Sequence, residues 1–311
     1  MIDPEINFTI PTLGKCSIQS PMKGVRFVAD DERILYDSHT SKIQKCLEMG
    51  FQLPAMELAG PREKIYFDPS KLKCGIVTCG GICPGVNDVI RSLVMSLFHH
   101  YGVKNIFGFP YGFEGLSWRY GHTPRELTPQ NVNYIHRMGG SLLGSSRGPQ
   151  DVSEMVDTLE RMNVQMLFAI GGDGTLKGAG AIAAEIEQRG LKISVIGIPK
   201  TIDNDISFIE KSFGFETAVT EASKITNSAH NEATGARNGI GLVKLMGRES
   251  GFIAAYSVLA DNNVNFCLIP ESPFSLEGFL SALHERLERR GAAVTVVWWG
   301  GGPGVRGGDI E

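Results

Sequence analysis

Three short loops of the 311-residue chain combine small, acidic and basic residues in patterns that suit phosphate chemistry. The first is Gly80-Gly81-Ile82-Cys83-Pro84-Gly85, the second Gly171-Gly172-Asp173-Gly174-Thr175, and the third Pro199-Lys200-Thr201-Ile202-Asp203-Asn204-Asp205. Glycine lets a phosphate approach backbone N–H groups, and the N–H groups at a helix start attract anions. Neither glycine loop fits the dinucleotide fingerprint or the P-loop. A ligand-free tight turn would have the same composition. Asp173 among phosphate-binding glycines makes sense if a Mg²⁺ lies between its carboxylate and the phosphates. The third loop is denser, with Asp203 and Asp205 flanking Asn204 after Lys200 and Thr201. Phosphoryl transfer to a hydroxyl needs a base near the acceptor and cations on the transferring group, and this loop offers both. An Asx-type turn capped by Asp205 is its structural alternative. Two further loops carry an arginine among small residues: Leu143-Gly144-Ser145-Ser146-Arg147-Gly148-Pro149 and Lys244-Leu245-Met246-Gly247-Arg248-Glu249. Each arginine could grip a phosphate through parallel hydrogen bonds or form a surface ion pair.

Positioning these loops falls to alternating strands and helices. Apolar runs predict strands at 74–78, 164–170, 193–198, 239–245, 265–269 and 294–297. Three- and four-residue spacings predict helices at 41–49, 88–98, 151–162, 176–189, 217–233, 250–259 and 276–290. The expected inward faces are Val89, Leu93, Val94 and Leu97 in the 88–98 helix, and Ala218, Ala222, Ile225 and Ala229 in the 217–233 helix. Strand–helix alternation implies an α/β fold with mostly parallel sheets covered by helices. Loops that follow parallel strands gather on one sheet edge, where ligands bind. The expected organisation is an N-terminal extension over 1–66 with no chemistry, a nucleotide-binding lobe over 67–198, a sugar-phosphate-binding lobe over 199–297 and an atypical tail over 298–311.

Composition narrows the function. The net charge is −4, which argues against nucleic acid as a partner. Glycine supplies 38 residues, about 12% against a usual ~7%, in keeping with many tight strand-to-helix turns. Six cysteines lack the paired spacing of a zinc site and read as reduced thiols of a cytoplasmic protein. No apolar stretch reaches the ~18 residues of a membrane span, so no membrane partner is expected.

The five loops, taken in chain order, resemble those of the 6-phosphofructokinases, over about 65–297. The nearest likeness is to the plant and kinetoplastid branch, which also carries an N-terminal extension. The resemblance implies two similar α/β lobes with the site between them, in a homo-oligomer, usually a tetramer. It implies transfer of a phosphoryl group from ATP, with Mg²⁺, to the 1-hydroxyl of fructose 6-phosphate, giving fructose 1,6-bisphosphate. Gly81, Arg147, Gly148, Gly172, Asp173, Gly174 and Thr175 would hold the nucleotide, and Asp173 the metal. Asp203 would be the catalytic base. Thr201, Ile202, Asp203, Met246, Gly247 and Arg248 would bind the sugar phosphate, with Asp205 supporting the metal and the transferring group.

Donor choice rests on two positions. Pyrophosphate-dependent relatives usually have Asp where this chain has Gly174, and that carboxylate would repel the α-phosphate of ATP. Lys200 resembles the pyrophosphate enzymes, but a lysine serves either donor. The expectation is ATP, with pyrophosphate and a non-catalytic nucleotide-binding member as alternatives. Two departures stand out. Gly239 replaces an arginine of many bacterial relatives, with Arg237 close by. Trp298-Trp299-Gly300 replaces the family's Ala-Glu-Gly, six of the twelve residues of 300–311 are glycine, and a later Arg/His segment is missing. The expectation from that tail is truncation or a shifted reading frame, with an incomplete sugar site.

Overall fold

The computed structural model describes residues 8–51 and 53–299; the glycine-rich stretch 300–311 lies outside them. The N-terminal portion holds two short antiparallel ribbons and one helix: β1 (Ile18–Gln19), β2 (Arg33–Leu35), α1 (Thr40–Glu48), β3 (Ala55–Glu57) and β4 (Lys64–Ile65). β1 pairs with β4 and β2 with β3. The Lys192 ammonium donates to the Leu13 carbonyl, so this portion is tied to the body that follows.

That body contains β5 (Lys73–Thr78), α2 (Val86–His99), β6 (Asn105–Phe109), β7 (Arg125–Glu126), α3 (Pro129–Val132), α4 (Val152–Arg161), β8 (Met166–Gly171), α5 (Asp173–Gln188) and β9 (Ser194–Pro199). The sheet order is β7-β6-β5-β8-β9, with β5 parallel to both β6 and β8 and only β7 antiparallel. β6 and β7 lie outside the expected set of strands. β6 has five residues and β7 two, too short to carry a clear period. The core joins Val77, Phe109 and Leu167 of the sheet to Met155, Val156, Leu159 and Ile182 of α4 and α5.

Two local expectations need correction here. Helix α2 buries Ile90, Val94 and Leu97, whereas Val89 and Leu93 are only half-buried. The helix starts two residues early, at the buried Val86, so its inward face runs Val86, Ile90, Val94, Leu97 at helical steps. Helix α5 begins at Asp173, not Leu176. Asp173, Gly174 and Thr175 therefore form its first turn, where a carboxylate interacts favourably with the exposed N–H groups.

The remaining elements are α6 (Phe215–Gly235), β10 (Gly239–Met246), α7 (Phe252–Ala260), β11 (Phe266–Leu268), α8 (Leu276–Arg290) and β12 (Ala292–Trp299). They form a parallel sheet of order β10-β12-β11 over a second core of Phe215, Ala222, Val243, Leu245, Ile253, Ala254 and Val296. Ile225 does not point inward as expected; it is 55% exposed. The buried stripe of this 21-residue helix runs Phe215, Ala222, Thr226 and Ala233. Thr226 is tolerated there because its hydroxyl donates to the Asp261 carboxylate at 2.8 Å.

The chain divides into two compact units. One comprises residues 8–80, 87–170 and 174–198; the other comprises 81–86, 171–173 and 199–299. No described helix is long and apolar enough to cross a membrane.

Candidate functional site

Within the second unit, one lysine ties the three loops together. Lys200 is buried, its backbone N–H donates to the Gly171 carbonyl at 2.9 Å, and its ammonium donates to the Gly81 carbonyl. The ammonium thus has an acceptor while its charge stays beside the glycine turns. Cys83 donates its thiol hydrogen to the Phe213 carbonyl at 3.1 Å. Burial pushes this thiol up to about 11, with Lys200 opposing and Asp203 adding to the shift. Cys83 is therefore a packed, protonated thiol rather than a nucleophile. Gly214 is required beside it: its φ is +85°, and a Cβ would lie 2.4 Å from the Cys83 sulfur.

The third loop is laced to the segment after it. The Thr201 N–H donates to Ser212 Oγ, the Ser212 N–H donates to Asn204 Oδ1, and the Asn204 amide donates to the Glu210 carbonyl. Asn204 sits at φ +57°, a left-handed conformation that asparagine tolerates better than most residues. The Thr201 hydroxyl accepts from the Asp203 N–H at 3.2 Å and donates to Asp205 Oδ1 at 2.6 Å.

This lacing gives the two carboxylates opposite environments. Asp205 accepts the Thr201 hydroxyl and has the Arg248 guanidinium 3.6 Å away. Asp203 has a buried Oδ1 with no hydrogen-bond partner. Its pKa is raised, first by burial and then by the Asp205 charge, with Arg248 pulling the other way. A carboxyl with a raised pKa beside one that is hydrogen-bonded and close to a guanidinium suits the first to proton transfer and the second to holding a cation.

Arg248 enters from the end of β10. Its Nη1 lies 3.0 Å from Asp173 Oδ1, and its backbone is left-handed at φ +54°. The turn is tight. A Cβ at Gly247 would lie 2.2 Å from the Ser250 carbonyl oxygen and 2.5 Å from Trp298 Cδ1. The Ser250 hydroxyl donates to the Asp203 carbonyl at 3.1 Å, which joins this turn to the third loop. Among the described residues no three His, Cys, Asp or Glu side chains gather into a metal site. Asp173 and Asp205 nonetheless fit a Mg²⁺ that takes its other ligands from phosphates and water. They are hard oxygen donors, and they already share one cation, Arg248.

Gly81, Gly172, Asp173, Lys200, Thr201, Ile202, Asp203, Asp205, Met246, Gly247 and Arg248 all belong to this second unit. Arg147, Gly148, Gly174 and Thr175 belong to the first. There the Ser145 hydroxyl donates to the Gly80 carbonyl and the Ser146 hydroxyl to the Tyr111 carbonyl, leaving Arg147 and Gly148 exposed. A Cβ at Gly174 would meet nothing within 4 Å. Ser212 and Ser250, which fix the third loop and the Arg248 turn, were not singled out from the sequence. A lone serine 8 residues from Asn204 or 47 from Asp203 carries no motif.

The fold and site thus define an α/β chain whose parallel strands end in glycine turns, a buried lysine and paired carboxylates. Known proteins narrow that class. A family model described as phosphofructokinase matches residues 73–300. An ATP-dependent 6-phosphofructokinase of Borreliella burgdorferi is 50% identical over 291 residues, covering 91% of this chain and 65% of that protein. One of Trypanosoma cruzi is 49% identical, covering 89% of this chain and 57% of that protein. The chain thus spans less than two thirds of the length of these curated relatives. The solved structure of a pyrophosphate-dependent phosphofructokinase from Marinobacter aquaeolei shares the fold, with a TM-score of 0.65 and 20% identity over 73% of this chain and 60% of that one. The chain belongs to the phosphofructokinase family.

Proposed function

We propose that this chain provides the catalytic machinery of an ATP-dependent 6-phosphofructokinase, moving a phosphoryl group from ATP to the 1-hydroxyl of fructose 6-phosphate. The observation that carries this reading is the split between two neighbouring acids. Asp203, half-buried and with an Oδ1 that has no hydrogen-bond partner, is poised to take the proton of the attacking hydroxyl. Asp205, bonded to Thr201 and close to Arg248, stays with the cations. Thr201, Ile202, Met246, Gly247 and Arg248 bind the sugar phosphate, the arginine supplying the charge-assisted bonds. Gly81, Arg147, Gly148, Gly172, Gly174 and Thr175 hold the nucleotide. A Mg²⁺ at Asp173 would neutralise charge on the phosphates during transfer. The family resemblance further supports a homo-oligomer.

ATP as donor is supported by the names of relatives near 50% identity and by Gly174, whose missing side chain leaves open space. Lys200 favours neither donor, because it presents a positive charge that any phosphate accepts. The test is turnover of fructose 6-phosphate by the purified chain with Mg·ATP and with pyrophosphate in parallel. Turnover with ATP supports the reading. Turnover with pyrophosphate alone reverses the donor, and nucleotide binding without turnover favours a non-catalytic member.

A further inference from the structure

Arg248 stands between two groups that the proposed reaction needs separately. In the substrate-free chain its guanidinium is 3.0 Å from Asp173 and 3.6 Å from Asp205. A divalent cation and a guanidinium cannot share one carboxylate without setting like charges side by side. The arginine is also the cation best placed to meet an anionic sugar phosphate, being half exposed.

We propose that Arg248 is a shared counter-ion that couples the two substrates. Resting on Asp173, it weakens metal binding there; drawn onto the phosphate of fructose 6-phosphate, it releases that carboxylate. This rests on the reading of Asp173 as the metal ligand and deepens it by assigning a regulation to the site.

The backbone around Arg248 supports motion of the side chain alone. Its left-handed residue sits in a turn fixed by the Ser250 N–H donating to the Gly247 carbonyl at 2.9 Å and by the close packing of Gly247 on Trp298. The long side chain therefore pivots from a fixed base. Asp205 keeps a partner in either state, because Thr201 donates to it independently of Arg248. The cost of moving the guanidinium is small, since the Asp173 and Arg248 side chains are both about half exposed. Exposed ion pairs of this kind imply a coupling of about two- to fivefold. Linkage makes the coupling reciprocal: the sugar phosphate tightens metal binding by the factor by which metal tightens sugar-phosphate binding.

The experiment is a Mn²⁺ titration of the full 311-residue chain, followed by electron paramagnetic resonance of free Mn²⁺. Arg248→Gln should bind Mn²⁺ about two- to fivefold more tightly than the wild type. Saturating fructose 6-phosphate should tighten Mn²⁺ binding to the wild type by a similar factor and leave Arg248→Gln unchanged. Arg248→Asn, which tolerates the left-handed backbone, gives the same readout should the glutamine variant fail to fold. Equal or weaker Mn²⁺ binding by the arginine variants overturns the proposal, as does a wild-type affinity that fructose 6-phosphate leaves unmoved. Mn²⁺ that binds Asp173→Asn as tightly as wild type refutes the metal reading itself, and the coupling with it. Mn²⁺ lost in Asp173→Asn but indifferent to Arg248 refutes the coupling alone.

Discussion

Asp203 is the residue in which structure and function oppose each other. In the proposed role its ionised carboxylate must accept a proton, yet burial and Asp205 disfavour that charge. Asp203→Asn should lower turnover by about 10²–10⁴-fold, the usual worth of a positioned base, with little change in fructose 6-phosphate affinity. The same variant should melt higher at neutral pH, because it removes a charge that burial and Asp205 disfavour in the folded state. A carboxyl with a raised folded-state pKa carries this penalty in full above that pKa and loses it as the pH falls to the unfolded value. The gain should therefore vanish in acid, where the group is neutral in both folded and unfolded chains. Thermal melts of both proteins across the pH range check this. In the pH–rate profile the acid limb should sit above the ordinary carboxylate range. Asp205→Asn should move the limb down, because the like charge is gone, and a limb that stays put would remove Asp205 as a cause. At Gly174 an added carboxylate has steric room but, in the proposed nucleotide site, would set its charge against the phosphates. Gly174→Asp should cut turnover with ATP more than turnover with pyrophosphate, measured as the ratio of kcat/KM for the two donors.

At the scale of elements, helix faces decide which substitutions matter. Ile225 and Thr226 are adjacent on α6, and hydropathy ranks them the wrong way round. Ile225→Lys should change stability by less than about 0.5 kcal/mol, since the side chain is largely in solvent. Thr226→Val keeps the shape but strips Asp261 of a hydroxyl donor and should cost about 1–3 kcal/mol. Chemical denaturation of the two variants, read as a shift in midpoint, separates these outcomes. The turn after β10 makes a similar demand. Gly247→Ala would push a methyl group against the Ser250 carbonyl and Trp298, a strain of about 1–3 kcal/mol that also shifts Arg248.

At the scale of the molecule, the chain enters the second unit three times, at 81–86, at 171–173 and from 199 onward. The site residues there cannot be assembled from one continuous stretch. A fragment spanning 199–311 would lose the Gly81 carbonyl that accepts from buried Lys200 and the Gly171 carbonyl that accepts from its N–H. It would also lose Cys83, which packs against Gly214. Losing these two hydrogen bonds and the Cys83 packing together should leave the fragment without fixed tertiary packing. Near-ultraviolet circular dichroism and dye binding would report this, and a fragment with native-like packing would show that residues 199–311 suffice on their own.

The sequence by itself determined the alternation of strands and helices and the loops that follow the strands, and it singled out the residues proposed to handle phosphate. These are local properties: apolar period, glycine content, and acidic and basic residues within a few positions of one another. It also placed the chain within a family through five ordered motifs. Tertiary structure decided what local pattern cannot carry. Thr226 displaces Ile225 in the core because Asp261, 35 residues on, offers it an acceptor. The Lys200 ammonium finds its acceptor in a carbonyl 119 residues away. Asp203 and Asp205 are two residues apart and chemically identical, yet one is desolvated and the other hydrogen-bonded, because Thr201 and Arg248 reach only the second at close range. Electrostatics depends on distance and burial in space, so which acid is desolvated is set by the fold rather than by the spelling of the loop.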